Sequence, residues 1–193
     1  MATDTQRKMV IGAARLLAER FLQETSLSEV LELTGTPRGS IYHHFPGGKD
    51  EMIAAAVDLA GDHAINLINA SEGLGVVEVT TRFVSVWRAV LVQSEFAAGC
   101  SVLAVTVSTD SVDLLRHVSG VFQNWRIQLA NVLHIGGLTE SCAERFATVL
   151  IAATEGAVVL SRAEKSLEPF ELVAADLIRQ SELHIAESLG GLG

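Results

Sequence analysis

Apolar residues recur at helical spacing along most of the chain. Val10, Ala13, Ala14, Leu17 and Phe21 fall at i, i+3, i+4, i+7 and i+11, which puts one apolar stripe on a helix over about residues 5–22. The same offsets run through Ile53, Ala56, Val57, Ala60, Ala64, Leu67 and Ile68, then through Val118, Val121, Phe122, Trp125, Leu129, Val132 and Leu133. They return in Phe146, Val149, Leu150, Ala153, Ala157 and Leu160. Residues 75–94 and 168–189 also read as helices, the latter with Pro169 in its first turn, where a missing N–H costs nothing. Residues 102–107 form a continuous apolar run rich in β-branched side chains, which periodicity alone does not separate from a strand. A lone strand would leave its backbone groups unpaired, so this run too is assigned to a helix. With no set of alternating strands elsewhere, the expectation is an all-α fold of about nine helices.

Between the first stripe and the second, the pattern shortens and acquires punctuation. Ser26 followed three residues later by Glu29 is a capping box, which starts a short helix carrying Leu27, Val30, Leu31 and Leu33. Gly35 can take the positive φ that ends it, Thr36 can cap the next helix, and Pro37 is preset for that helix's first turn. Two short helices joined by a tight glycine-containing turn make a helix-turn-helix. In such a unit the second helix enters the DNA major groove with its first residues toward the bases, while the first helix lies across the backbone. Arg38 then stands where a guanidinium can grip a guanine bidentately. Tyr42, His43 and His44 offer donors suited to phosphate, and Ser40 is short enough to let backbone and groove approach; Gly39 belongs to the same surface. Phe45 should turn inward as an anchor. Pro46-Gly47-Gly48 leads into a helix that begins Lys49, Asp50, Glu51, and an ammonium beside the free amides of a helix start suggests a bridging phosphate. A plain helical hairpin with Arg38 and Lys49 merely solvated would not explain Gly-Thr-Pro, Tyr-His-His-Phe and Gly-Gly-Lys in succession. Nor do His43 and His44 suggest a metal site, since adjacent helical residues point ~100° apart.

Charge at first argues the other way. The 193 residues carry 14 basic and 23 acidic side chains, a formal net charge of −9, and a nucleic-acid binder needs cations to neutralise phosphate. The imbalance is not uniform. Through Met52 there are 6 basic and 7 acidic residues, so almost all the negative charge belongs to the remainder. No acid occurs in residues 33–49, although residues 114–139 are equally free of acids without resembling a DNA reader. Two cysteines, Cys100 and Cys142, are too few for a disulfide framework and read as buried thiols. No uninterrupted apolar run reaches the ~18 residues of a membrane span and the amino terminus lacks a signal-like stretch, so a soluble, cytoplasmic protein without a cofactor is expected.

The run Gly35-Thr36-Pro37-Arg38-Gly39-Ser40-Ile41-Tyr42-His43-His44-Phe45-Pro46-Gly47-Gly48-Lys49 resembles the signature of the TetR family of bacterial transcription regulators, and within it the LmrA/YxaF-like, drug-responsive branch. The resemblance covers about the first quarter of the chain. It implies a dimeric repressor of double-stranded operator DNA whose phosphate contacts fall on Ser26, Tyr42, His44 and Lys49 and whose base contacts fall on Thr36, Pro37, Arg38 and Ser40. It also implies a boundary, with a DNA-binding domain over residues 1–48 and a ligand-binding and dimerisation domain over residues 49–193.

Seven of the ten aromatic residues lie in that second part. Phe83 and Trp87 are i, i+4 on one helix, and Phe122 and Trp125 are i, i+3 on another. Together with Phe96, Cys100, His117 and Val121 they form the candidate lining for a small apolar or aromatic effector, with small residues between to leave room. Residues 146–160 are apolar on nearly every face, so that helix must be covered on both sides. With the helix from Pro169 it resembles the family's dimer-forming pair, which points to Leu150, Ala153, Gly156, Ala157, Leu160, Leu177 and Ser181 as interface residues. A two-fold dimer would present two reading helices to half-sites ~34 Å apart. Two other function classes compete with this reading. An enzyme using Cys100 or Cys142 is disfavoured because no nucleophile-elbow, Walker, HExxH or dinucleotide motif organises the side chains. A helical small-molecule-binding dimer without operator binding is the remaining alternative.

Overall fold

The computed structural model describes residues 4–20 and 22–190. Phe21, the last position of the first apolar stripe, lies outside them. Nine α-helices and one short 3-10 turn make up the described residues, which contain no strand. In chain order these are α1 (Asp4–Glu19), the 3-10 turn (Leu22–Glu24), α2 (Leu27–Thr34), α3 (Ser40–His44), α4 (Lys49–Asn69), α5 (Val76–Gln93), α6 (Ser101–Ser108), α7 (Val112–Ile135), α8 (Glu140–Glu164) and α9 (Glu168–Gly190). The ambiguous β-branched run is the helix α6, and its amino terminus is capped by the Cys100 thiol, whose Sγ accepts the amide of Leu103 at 3.3 Å.

Contacts gather these helices into two units. The first takes in the chain through His63 together with Cys100–Phe122, and the second takes in Ala64–Gly99 together with the chain from Gln123 onward. This division does not coincide with the contiguous boundary expected after residue 48. Most of α4, all of α6 and the first part of α7 pack with the amino-terminal helices, and only tertiary contact could reveal that.

In the first unit α1 packs on α2 and α6, and α6 also meets the 3-10 turn. Met9, Leu17, Val30, Ile41, Phe45, Met52 and Ile53 are sealed inside it. The approach of α1 to α2 is close enough that a Cβ on Gly12 would come within 2.5 Å of the Thr34 methyl, so glycine is needed there for packing. Farther along, Gly61 of α4 faces Val121 of α7, and Asp58 Oδ1 lies 2.7 Å from His117 Nε2, although that contact falls outside hydrogen-bond alignment.

In the second unit α8 runs against α9 and α5. Leu91, Leu129, Leu133, Phe146, Leu150 and Phe170 are its most enclosed apolar side chains. Polar ties hold its loops: the Ser161 hydroxyl accepts the amide of Phe170 at 3.1 Å, Arg88 of α5 pairs with Glu171 of α9, and Arg162 Nη2 donates to the Ala97 carbonyl at 2.8 Å. By length and composition α8 could cross a membrane, and half of its apolar window is buried in this unit, as in the core helix of a bundle. Val149, Val159 and Leu160 of α8 are exposed.

Candidate nucleic-acid interface

The helix-turn-helix is built from its caps. Ser26 Oγ accepts the amide of Glu29 at 3.2 Å while Glu29 Oε2 accepts the amide of Ser26 at 2.8 Å, so two orphan donors of α2 are satisfied reciprocally. The amide of Ser26, more than its hydroxyl or the charges of Arg20 and Lys49, holds the Glu29 carboxyl below the usual carboxylate range. At the other end Gly35 adopts φ 62°, the left-handed conformation that lets the chain leave α2, and the amide of Thr36 donates to the Leu31 carbonyl at 3.0 Å.

The turn differs from the expectation in one respect. Thr36 does not cap the next helix. It is only 9% exposed, and its hydroxyl lies 2.9 Å from that of Thr34, which also reaches the Val30 carbonyl at 2.7 Å. A hydroxyl turned inward cannot face a base, so Thr36 holds the turn together. Pro37 lies before the helix: its carbonyl accepts the amide of Ser40 at 3.0 Å, and α3 begins at Ser40 with Gly39 as its uncapped N-cap.

Residues 37–45, α3 and the positions that flank it, differ in exposure from one side to the other. Ile41 and Phe45 point into the first unit, Phe45 being 1% exposed. Pro37, Arg38, Gly39, Tyr42 and His43 are exposed, Tyr42 at 70%, while Ser40 and His44 are half-buried. No other described residue bonds the Arg38 guanidinium. The His44 carbonyl accepts from Gln6 Nε2 of α1 at 3.4 Å, a contact that sequence reasoning missed because nothing links positions 38 residues apart.

The start of α4 also makes bonds within the chain that the sequence did not suggest. Lys49 Nζ donates to the Leu22 carbonyl at 2.9 Å, and the amide of Gly47 donates to Glu51 Oε2 at 2.7 Å.

The candidate effector residues divide between the two units. Phe83, Trp87 and Phe96, all half-buried, and the buried Trp125 lie in the second. Cys100, His117, Val121 and Phe122 lie in the first, where Cys100 caps α6, His117 approaches Asp58 and Val121 meets Gly61. Of the candidate interface residues, Leu150, Ala157, Leu177 and Ser181 are buried inside the second unit and Ala153 is half-buried. Of that set Gly156 and Leu160 are exposed on α8, with the half-buried Ala153 on the same side of the helix.

With this geometry in place, comparison with known proteins is informative. The family model for bacterial regulatory proteins of the tetR family matches residues 11–56, and that for the C-terminal domain of LmrA/YxaF-like transcriptional regulators matches residues 76–176. The HTH-type transcriptional regulator Rv0196 of Mycobacterium tuberculosis is 34% identical over 179 residues, 89% of this chain and 91% of the relative. YxaF of Bacillus subtilis is 29% identical, covering 90% and 93%, and LmrA of the same organism is 26% identical, covering 86% and 90%. Among solved structures, a regulatory protein TetR from Rhodobacter sphaeroides superposes with a TM-score of 0.82 at 18% identity, over 92% of this chain and 98% of that one. A TetR transcriptional regulator from Chloroflexus aurantiacus gives 0.74 at 26% identity, over 91% and 93%.

Proposed function

The chain belongs to the TetR family of bacterial transcriptional regulators, in its LmrA/YxaF-like branch, and from that premise we propose that this DNA-binding regulator is a dimeric repressor released from its operator by a small, largely apolar effector. The observation that carries the reading is the two-sidedness of α3 and its flanks, with Ile41 and Phe45 buried in the core and Arg38 and Tyr42 exposed. In this reading Pro37, Arg38, Gly39 and Ser40 meet base edges, and Ser26, Tyr42, His43 and His44 meet phosphates. Thr36 is left out because it is buried, whereas Lys49, with one of its three donors on the Leu22 carbonyl, keeps two for a phosphate. The work is done inside the cell, where the DNA is.

Gly39 offers a direct check. A Cβ added there would meet nothing within 4 Å, and its φ of −66° suits any residue, so the fold does not require glycine. Gly39→Ala is expected to leave the melting temperature unchanged or to raise it by the equivalent of ~0.4–1 kcal/mol, because the unfolded chain loses freedom. Operator binding should nevertheless weaken, since the methyl group would intrude between α3 and the groove. Calorimetry and titration of the same preparation test both halves, and a variant that binds as tightly as wild type would contradict a close approach at Gly39.

The dimer is proposed on the outward side of α8 and α9, where Val149, Gly156, Val159, Leu160, Leu172 and Leu183 are exposed. Gly156 has nothing near its Cβ position, so a mid-helix glycine, costly by ~1 kcal/mol against alanine, serves no contact within the chain. Leu160→Glu is expected to yield a folded monomer by sedimentation and to lower operator affinity by ~10²-fold or more, because two linked heads bind far better than one. A variant that remains dimeric would move the interface elsewhere.

The effector is assigned to the aromatic side chains of the second unit, Phe83, Trp87, Phe96 and Trp125. Such rings suit a flat apolar molecule, and binding must favour the DNA-incompetent arrangement for release to follow. The whole reading is tested by selection from a random duplex library: the wild-type chain should enrich one near-palindromic sequence.

A further inference from the structure

The helix α3 ends in two consecutive histidines whose rings meet edge to face, with centroids 5.0 Å apart and planes at 67°. His43 is exposed, and apart from the His44 ring no described residue engages its imidazole. His44 is half-buried, and its carbonyl accepts from Gln6 Nε2, which joins the start of α1 to the end of α3. The charged groups on the elements that flank α3 are occupied elsewhere or face solvent. On α1, Asp4 pairs with Lys8 at 2.7 Å and Arg7 is exposed. On α4, Lys49 Nζ donates to the Leu22 carbonyl, Glu51 accepts the Gly47 amide, and Asp50 is exposed. Arg38 stands before α3, and residues 33–49 hold no carboxylate at all. No anion of the described residues therefore holds a proton on the His43 ring, and two positive rings 5.0 Å apart would repel each other.

We propose that DNA binding is linked to proton uptake at the His43–His44 pair, with His43 as the main acceptor, so that the affinity of this regulator rises as pH falls. The proposal rests on the reading above, in which these two side chains meet phosphate. Histidine changes charge between pH ~5 and ~8, and an adjoining phosphate favours the imidazolium, both of whose ring N–H groups donate. The proton comes from solvent, and the phosphodiester, ionised throughout that range, supplies the counter-charge. Repulsion between the neighbouring rings disfavours a second proton, so the pair titrates as a unit that gains about one proton per chain. The bound state keeps that proton to higher pH than the free chain does. The gain in affinity is thus fully present at acid pH and is lost as pH rises through the range where the bound rings discharge. Arg38 and Lys49 are the only lysine or arginine residues in 33–49, so one added charge is a large addition to what this surface offers DNA.

The experiment compares wild type with His43→Gln, which keeps a donor but does not titrate, on two duplexes: one enriched by the wild-type chain from a random library and a scrambled version of it. Calorimetry at pH ~7 in two buffers of different ionisation enthalpy counts the protons taken up on binding the enriched duplex. Wild type should gain ~0.5–1 proton per chain and His43→Gln no more than about half as much. His63, His117, His134 and His184 are common to both chains, so the difference belongs to the pair on α3. By anisotropy the wild-type affinity should fall ~10-fold or more from pH ~6 to ~8, and the fall should shrink in His43→Gln. The scrambled duplex should show a fall as well, because phosphate is met whatever the sequence. No uptake by wild type, equal uptake by the two chains, or a pH dependence confined to the enriched duplex would each overturn the proposal. Should His43→Gln not fold, the imidazole proton signals of the wild-type chain decide. Those of His43 should move toward imidazolium positions when the enriched duplex is added at pH ~7, and signals that stay in place would overturn the proposal. A duplex enriched and bound without proton uptake leaves the reading role of α3 standing while this proposal fails. A wild-type chain that enriches no duplex sinks that role, and this proposal with it.

Discussion

Arg38→Ala should erase most of the preference for operator over random DNA while leaving the weak binding to random duplex nearly intact. The guanidinium is exposed, no other described residue bonds it, and it precedes α3 by two positions, where side chains reach base edges first. A bidentate arginine–guanine pair contributes ~1–3 kcal/mol of discrimination, so two heads acting together stand to lose ~2–6 kcal/mol. Loss of one cation per head costs random binding much less, because most of that affinity comes from the remaining phosphate contacts. The fold should not respond, since a surface substitution of this kind shifts stability by no more than ~0.5 kcal/mol. Competition titration with the enriched and scrambled duplexes measures the ratio. If both affinities fell alike, Arg38 would be a phosphate ligand and the base contact would have to lie elsewhere on the turn.

The second large effect is on stability. Phe45→Ala removes a ring that is 1% exposed, at the position where the chain leaves α3 and its amide closes the helix onto the Ile41 carbonyl at 2.7 Å. Truncating a buried phenylalanine costs ~3–5 kcal/mol, a large share of the ~5–15 kcal/mol that holds a domain together. Three positions earlier, Tyr42→Ala removes a ring of similar size that is 70% exposed, and should shift stability by no more than ~0.5 kcal/mol while weakening DNA binding. Urea denaturation of the two variants side by side therefore tests which way α3 faces. Equal destabilisation by both would show that the helix is rotated from the orientation described.

Much of this was legible in the sequence, for reasons that are local. The capping box at Ser26 and Glu29, the left-handed Gly35 and the inward turn of Phe45 each follow from a few neighbouring residues, and each is present in the structure. The long amphipathic helices followed from one repeating offset, and α4 begins at Lys49, where Pro46-Gly47-Gly48 implied. What the sequence did not show is set at a distance. The ammonium of Lys49 meets the carbonyl of Leu22 across 27 residues, and Arg20 meets Glu29 across a turn with no regular spacing. Thr36 looked like a cap because threonine before proline commonly is one, yet an inward hydroxyl partner at Thr34 was available and took it. The all-round apolar character of α8 concealed which of its faces looks outward. Periodicity names a buried face only when the other face is polar, so the buried Leu150 and Ala157 were grouped with the exposed Leu160, which borders them on the same side of the helix. The interleaving of α4, α6 and α7 with the amino-terminal helices likewise has no sequence signal.

Whether α3 reads bases is decided most directly by the specificity ratio of the full-length wild-type chain. Fluorescence anisotropy at fixed salt, with the duplex it enriches from a random library and with the scrambled version, gives that ratio in one series. Operator binding should be ~10³-fold tighter or more, with two chains per duplex, as expected for a regulator that reads bases through α3. Equal affinities for the two duplexes would contradict it.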